Sequence, residues 1–173
     1  MKQVYINKIE YFLPPLKESN KSVLKLSGRN EADIKKMIDK IGVKTRRIAN
    51  KNIFSNDLAI SSAKKILKFI NSKEIDYLIY CTNTPDYLLP TNACLLQDKL
   101  GLKKTIGAFD IILACSGYIY SLSIAKSLIL AGQAKNVLLI TSDTYSKFIK
   151  KNTPKTRILF GDGSTSTLIS AKK

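Results

Sequence analysis

Apolar positions along this chain follow two different spacings. Short apolar runs rich in β-branched residues predict strands, whereas apolar residues three or four positions apart predict helices. The predicted strands are Val4–Phe12, Ile75–Cys81, Ile106–Leu113, Asn136–Thr141, Arg157–Phe160 and Thr165–Ser170. The predicted helices are Ser27–Lys40, a segment from Asn56 or Asp57 to Ile70, one from Thr91 or Asn92 to Leu100, and Ser116–Ala131.

We interpret this order as β-α-β-α-β-α-β-β, an α/β fold with a mostly parallel sheet and helices packed on it. Gly161 to Ser164 is predicted to join the last two strands as a hairpin, which adds an antiparallel strand. The helix Ser116–Ala131 is almost entirely apolar and is therefore predicted to be central and buried. Residues 1–173 are expected to form one domain, because no linker or repeat divides them.

Composition places this chain among globular proteins, since 45% of its 173 residues are hydrophobic. We expect neither a signal peptide nor a membrane span, because the most apolar stretch, Ile111 to Ala125, is short and rich in Ser and Gly. Three cysteines without metal-ligand spacing predict no metal site and no disulfide framework: Cys81, Cys94 and Cys115. A reducing cytoplasm is the expected compartment.

The formal net charge of +16 admits a nucleic acid, an anionic membrane or an acidic protein as a partner. The lysines are scattered over most predicted surfaces, and no nucleic-acid-binding motif accompanies them. We interpret the charge mainly as a compositional bias towards Lys and Asn. An acidic carrier protein is the functional alternative, and we expect neither a nucleic acid nor a membrane as partner.

Cys115 lies where an apolar strand is predicted to end and an apolar helix to begin. The free N–H groups of a helix start carry partial positive charge and favour a thiolate, which is the nucleophilic form of cysteine. Ser116 and Gly117 keep this turn small enough for a substrate carbonyl to approach. The alternative is a buried core cysteine. The sequence contains no histidine, so this chain alone cannot complete a mechanism that needs a histidine base.

Four stretches of the chain are similar to motifs of a known family and occur in the same order. They are Ile41–Ala49 for T-G-I-x-x-R-R-I-A, Cys81–Cys94 for T-S-T-P-D-Y-x-x-P-x-x-A-C, Asp110–Tyr118 for D-[VI]-x-x-A-C-[SA]-G-[FY] and Leu159–Gly163 for L-F-G-D-G. With these motifs the chain resembles the N-terminal half of a β-ketoacyl-acyl carrier protein synthase III, a thiolase-fold condensing enzyme. The resemblance covers nearly the whole chain and implies a thiolase-like α/β fold.

The resemblance implies that Cys115 is the catalytic nucleophile, which takes an acyl group from a thioester. It implies that Gly161, Asp162 and Gly163 lie near the floor of the active site, although a tight hairpin turn would explain the same residues. The resemblance aligns Leu89 with a residue that gates the primer pocket, although an ordinary hydrophobic loop residue is the simpler reading.

The basic pair of the first motif, Arg46 and Arg47, could bind a phosphopantetheine-bearing partner or form a structural ion pair. The resemblance implies acyl-CoA or acyl-carrier protein as substrate, with no metal or redox cofactor. It also implies an acyl carrier protein and either a homodimer or a complementary C-terminal half as partners.

Two departures from the family pattern limit what this chain is expected to do. The family's condensation step needs a His and an Asn from its C-terminal half, and these residues would follow Lys173. The family's coenzyme A clamp pairs a Trp with an Arg, and the aligned positions here are Lys36 and Pro154, with Arg157 three residues later. Losing an aromatic–guanidinium clamp is expected to weaken adenine binding, which makes a carrier-bound or longer acyl donor plausible.

We therefore predict a 3-oxoacyl-acyl carrier protein synthase III-like acyltransferase of fatty-acid biosynthesis. Cys115 would be acylated ahead of decarboxylative condensation with malonyl-carrier protein. One alternative is a non-catalytic half-domain that serves as an assembly or carrier-docking partner. Another is a thiolase-fold acyltransferase of specialised metabolism that uses an oxygen or nitrogen acceptor.

Overall fold

A computed structural model describes residues 3–150 and 153–171. Its main feature is a five-stranded sheet, accompanied by a separate two-stranded ribbon. The strands are β1 (Tyr5–Phe12), β2 (Leu16–Ser19), β3 (Thr45–Ile48), β4 (Tyr77–Cys81), β5 (Gly107–Ile111), β6 (Asn136–Thr144) and β7 (Asp162–Ser170). The helices are α1 (Asn20–Lys25), α2 (Glu31–Ile41), α3 (Ser55–Ile66), α4 (Asn92–Lys99), α5 (Gly117–Leu130) and α6 (Pro154–Arg157).

The main sheet is mixed, with the strand order β1-β7-β6-β4-β5. Strand β4 pairs in parallel with both β5 and β6, and helices α4 and α5 make the crossovers between these strands. Strand β7 lies antiparallel between β1 and β6. The carboxyl ends of the three parallel strands therefore meet at one edge of the sheet, where α/β proteins commonly place their ligands.

Side chains alternate between the two faces of the buried strands, as the pleat requires. Leu78 and Tyr80 of β4 pack in one core with α3 and α4, while Ile79 and Cys81 pack in a second core with α5. A third, smaller core joins α1 and α2 to Ile158. The predicted α/β fold with helices packed on a sheet is confirmed, although the sheet is not mostly parallel, because two of its four strand pairings are antiparallel.

Helix α5 differs from its prediction as a buried helix. Its fully packed side is a narrow stripe of small and apolar residues spaced four apart, namely Gly117, Ser121, Ala125 and Ile129. The opposite side leaves large apolar side chains exposed, among them Ile119 and Tyr120. Only one side of α5 faces the sheet. The apolar sequence of this helix was therefore not enough to predict how much of it is buried. Within residues 3–150 and 153–171, no helix is long and apolar enough to cross a membrane.

The predicted hairpin near the end of the chain is wrong. Residues Pro154–Arg157 form the short helix α6, with Pro154 at the first helical turn, a position that proline favours. Ile158 then packs into the core of α1 and α2 instead of extending a strand. Asp162 and Gly163 begin strand β7 and do not form a turn. Strand β7 thus finds its partners in β1 and β6.

Helix starts also depend on contacts that are distant in sequence. Helix α3 begins at Ser55, before the predicted Asn56, because the carboxylate of Asp86 accepts hydrogen bonds from the backbone N–H groups of Ser55 (3.0 Å) and Asn56 (3.2 Å). Helix α2 is shorter than predicted, since Asn30 caps it by accepting a hydrogen bond from the N–H of Asp33 (2.8 Å). Helix α1, strand β2 and strand β3 have no counterpart in the prediction.

Candidate active site

Cys115 lies at the carboxyl edge of the sheet, in a single 3-10 turn formed by Ala114–Ser116. Helix α5 begins directly after this turn, so the predicted strand-to-helix position of Cys115 is present in the structure. Cys115 is exposed and forms no disulfide. The alternative of a buried core cysteine therefore applies to Cys81 and not to Cys115.

The residue before Cys115 has an unusual backbone conformation. Ala114 has a φ of 46°, and it is the only non-glycine residue of the described chain with a positive φ. Such a conformation costs a non-glycine residue roughly 1–3 kcal/mol of free energy. The N–H of Ala114 donates a hydrogen bond to Oδ1 of Asn83 at 3.0 Å, which helps to hold this conformation. The turn that presents Cys115 is thus strained and supported from a neighbouring loop.

Gly117, at the start of α5, leaves room for the buried thiol of Cys81. A Cβ atom on residue 117 would lie 2.4 Å from Sγ of Cys81. Burial raises the pKa of the Cys81 thiol, so this sulfur remains neutral at physiological pH. The glycine of the A-C-S-G motif therefore has a packing reason in this protein.

Gly117→Ala is expected to lower the free energy of unfolding by about 1–3 kcal/mol, because the added methyl group overlaps Cys81. The same substitution in a Cys81→Ala background should cost clearly less, since the sulfur is then absent. Urea unfolding of the four proteins measures both values, and Ser123→Ala on the exposed side of α5 serves as the control. An equal cost in both backgrounds would contradict the proposed contact.

Cys115 opens onto a cavity of about 600 Å³ between β1, β6 and β7. Gly161 and Gly163, two of the predicted site residues, line the same cavity. Apolar side chains surround much of the remaining wall: Ile9, Tyr11, Leu13, Tyr145 and Phe160. The structure thus brings the thiol and the two glycines of the L-F-G-D-G motif together, although they are more than forty positions apart in sequence.

Asp162, the third residue of that motif, is buried and engaged by the backbone. Its carboxylate accepts hydrogen bonds from the N–H of Ala49 (2.7 Å) and from both the N–H (2.9 Å) and the hydroxyl (2.6 Å) of Ser146. These contacts tie the start of β7 to the segments after β3 and β6. Asp162 therefore stabilises the segment that carries Gly161 and Gly163, without lining the cavity itself.

Arg46 is buried in an ion-pair network, which is the structural alternative considered for the basic pair. Its guanidinium pairs with Glu18 and donates hydrogen bonds to Oδ1 of Asn20 (2.6 Å) and to the carbonyl of Phe160 (3.0 Å). Arg157 binds the same carboxylate through two hydrogen bonds of 2.6 and 3.0 Å. The hydrogen bond from Arg157 is the main reason that the pKa of Glu18 is below its ordinary value; Arg46 adds to this, and burial opposes it.

Arg47 and Leu89 do not line the cavity that contains Cys115. Arg47 is half-buried and donates a hydrogen bond to the carbonyl of Pro15 at 2.9 Å. Its own carbonyl approaches Gly161, where a Cβ atom would lie only 2.9 Å away. Leu89 is 83% exposed on the loop between β4 and α4. The role of Leu89 at a primer pocket stays a prediction.

Two polar residues at the cavity were not recognised as functional from the sequence. Asn83 follows β4 and Asp143 stands near the end of β6, and both line the cavity beside Cys115. A usable signal existed, because polar residues at the carboxyl ends of buried parallel strands often meet at a site. Asn83 lies within one of the four sequence motifs, but its contact with Ala114 depends on how the two loops fold.

Comparisons with known proteins identify the same group of enzymes by sequence. A family model described as 3-Oxoacyl-[acyl-carrier-protein (ACP)] synthase III matches residues 109–173. The β-ketoacyl-[acyl-carrier-protein] synthase III of Solibacter usitatus (strain Ellin6076) is 38% identical over 173 residues, covering 99% of this chain and 51% of the relative. The enzyme of the same description from Sulfurovum sp. (strain NBC37-1) is 38% identical over 153 residues, covering 82% and 45%.

Solved structures agree with this result. A 2.1 Å crystal structure of a 3-oxoacyl-(acyl-carrier-protein) synthase III has a TM-score of 0.90 at 39% identity and covers 98% of this chain and 50% of that chain. The 3-oxoacyl-(acyl-carrier protein) synthase of Burkholderia xenovorans LB400 has a TM-score of 0.92 at 32% identity and covers 98% and 49%. The predicted thiolase-like α/β fold is confirmed, and the chain spans about half the length of the relatives it matches.

Proposed function

We propose, from the premise that this chain is homologous to β-ketoacyl-[acyl-carrier-protein] synthases III over about half of their length, that Cys115 accepts an acyl group from a thioester. The observation that carries the proposal is the exposed Cys115 thiol at a helix start, open to an apolar cavity. Thiolates are strong nucleophiles towards thioester carbonyls. The apolar walls suit an acyl chain.

The proposed step conserves atoms and charge. The Cys115 thiolate attacks the thioester carbonyl, the bond from that carbon to the donor sulfur breaks, and the donor leaves as a thiolate that takes up a proton. An acyl-cysteine thioester remains on the protein. This step needs no metal and no redox cofactor. Gly161 and Gly163 would line the space beside the reacting carbonyl because they line the cavity into which Cys115 opens.

Condensation with malonyl-carrier protein is the second step of the proposed reaction. It would yield a 3-oxoacyl thioester and carbon dioxide, as part of fatty-acid biosynthesis. In the resembled family this step uses a histidine and an asparagine, and the 173 residues include no histidine. We assign those groups to polypeptide beyond these residues, either on a complementary C-terminal half or on a continuation of the same protein.

A carrier-bound acyl group is the favoured donor. Lys36, which takes the position of the family's tryptophan, is an exposed residue of α2 and offers no aromatic face for adenine. Arg157 cannot replace the missing arginine of the clamp without leaving Glu18, which it binds through two hydrogen bonds. The net charge of +16 would attract an acidic carrier protein.

Association with a second polypeptide is part of the proposal. Strand β5 is an edge strand that pairs with β4 alone among the described residues, and its outer backbone groups could pair with another strand. The exposed apolar side of α5 also favours burial against a partner. We place the assembly in the cytoplasm, where its free cysteines would remain reduced.

Intact-protein mass spectrometry tests the proposal. The chain is incubated with an acyl-CoA and, separately, with the same acyl group on acyl carrier protein. We expect one acyl adduct, removed by neutral hydroxylamine as a thioester would be, and faster uptake from the carrier protein. No adduct from either donor would overturn acyl acceptance by this chain and favour the alternative of a non-catalytic half-domain.

A further inference from the structure

Two of the three parallel strand ends are tied together by a single carboxylate. Oδ1 of Asp143 accepts hydrogen bonds from the hydroxyl of Thr82 (3.2 Å), the N–H of Asn83 (2.8 Å) and the hydroxyl of Thr84 (3.0 Å). The same Thr84 hydroxyl accepts a hydrogen bond from the N–H of Thr144 at 2.8 Å. The loop after β4 is thereby fixed to the end of β6.

Asn83 extends this arrangement to the third strand end. While its backbone N–H binds Asp143, its side-chain Oδ1 accepts the hydrogen bond from the N–H of Ala114. Ala114 is the residue with a φ of 46°, immediately before Cys115. If this hydrogen bond is lost, Ala114 is free to relax towards a negative φ, and the turn that carries Cys115 relaxes with it.

We propose that Asn83 and Asp143 are positioning residues for the nucleophile. Asp143 fixes the backbone of Asn83, the Asn83 side chain holds Ala114 in the left-handed conformation, and this conformation directs Cys115 into the cavity at the start of α5. The inference rests on the proposed role of Cys115. It assigns a function to two residues that have no part in the acyl-transfer step itself.

Alkylation of the three cysteines by iodoacetamide provides the measurement. Cys115 and Cys94 are both exposed, so Cys94 is an internal reference for thiol reactivity within the same molecule. Cys81 is buried, and rates are compared under conditions in which Cys81 remains protected. Peptide mass spectrometry gives the ratio of the Cys115 rate to the Cys94 rate in each variant.

Asn83→Ala is expected to lower this ratio about fivefold, the effect of one hydrogen bond. The same substitution in an Ala114→Gly background should change the ratio less than twofold, because glycine adopts a positive φ without strain and needs no such support. Asp143→Ala should also lower the ratio, and the double variant with Asn83→Ala should lose no more than Asn83→Ala alone.

Asn71→Ala is the matched control, because it removes an asparagine oxygen that accepts one backbone hydrogen bond, from Lys73 (2.9 Å), in a turn before β4. It should leave the ratio unchanged. An unchanged ratio in Asn83→Ala, or an equal loss in the wild-type and Ala114→Gly backgrounds, would overturn the positioning role. Alkylation requires no acyl donor, so a chain that fails to take up acyl groups but follows this pattern contradicts the proposed function alone.

Discussion

Cys115→Ala is expected to abolish acyl uptake, because neither of the other two cysteines is both exposed and part of the cavity wall. Cys81 is buried and its pKa is raised, so little of it is present as thiolate. Cys94 is exposed, but it lies on α4, where the hydroxyl of Thr91 donates a hydrogen bond to its sulfur (3.2 Å). The expected result is complete loss of the hydroxylamine-sensitive adduct, measured by intact mass.

Cys94→Ala is the matched control for this loss, since it removes one exposed cysteine and retains Cys115. It should take up acyl groups at the wild-type rate. An adduct that persists in Cys115→Ala and disappears in Cys94→Ala would instead place acylation on an adventitious surface thiol. The two variants thus separate a directed transfer from general thiol reactivity.

Glu18→Gln is expected to lower the free energy of unfolding by about 3 kcal/mol. The substitution removes the negative charge between Arg46 and Arg157, and the Arg46 side chain is only 3% exposed. The Arg46 guanidinium would keep its hydrogen bonds to Asn20 and Phe160, but no opposite charge would then offset the cost of burying its own charge. Urea unfolding at neutral pH measures the difference.

Glu31→Gln is the control, because Glu31 also bridges two cations, Lys21 (3.1 Å) and Lys25 (2.7 Å), but does so at the exposed surface. Exposed ion pairs contribute little, so this variant should unfold almost as the wild type does. A similar loss in both variants would show that burial of the Glu18 network is not what makes it stabilising.

The Glu18 effect should also depend on pH. The pKa of Glu18 is lowered in the folded protein, so its contribution is fully present above the ordinary glutamate pKa of about 4.3 and is lost as the pH falls through the lower, folded value. The difference between wild type and Glu18→Gln is therefore expected to be largest at neutral pH and to shrink in acid. A difference that is constant down to about pH 3 would contradict this origin.

Much of the sheet was predictable from the sequence, because its central strands bury both faces and are almost continuously apolar. Strands β4 and β6 were predicted within a few residues of their bounds for this reason. The edge strand β5 was predicted equally closely, although only its last residue, Ile111, is buried. The segment Arg157–Phe160 was mistaken for a strand because Ile158, Leu159 and Phe160 are apolar and adjacent. Ile158 packs against α1 and α2 and Phe160 lines the cavity, and only the tertiary structure reveals these contacts.

The site was predictable to a similar degree. The position of Cys115 followed from one local pattern and an ordered set of motifs. The buried partners of Arg46 did not follow, since Glu18 and Phe160 are 28 and 114 positions away in sequence. Nor did the support of Ala114 by Asn83, because a backbone φ of 46° at an alanine has no signature in the residue type.

The pairing of β1 with β7 has a consequence for how the chain acquires its structure during synthesis. Tyr5 pairs with Ser170, so β1 leaves the ribosome well before its partner β7 does. Until β7 emerges, β1 and β6 each lack the strand that belongs between them. Such long sequence separation slows folding and keeps strand edges available for wrong pairing. The cavity beside Cys115 can therefore form only after β7 has been synthesised, because β7 contributes to its wall together with β1 and β6.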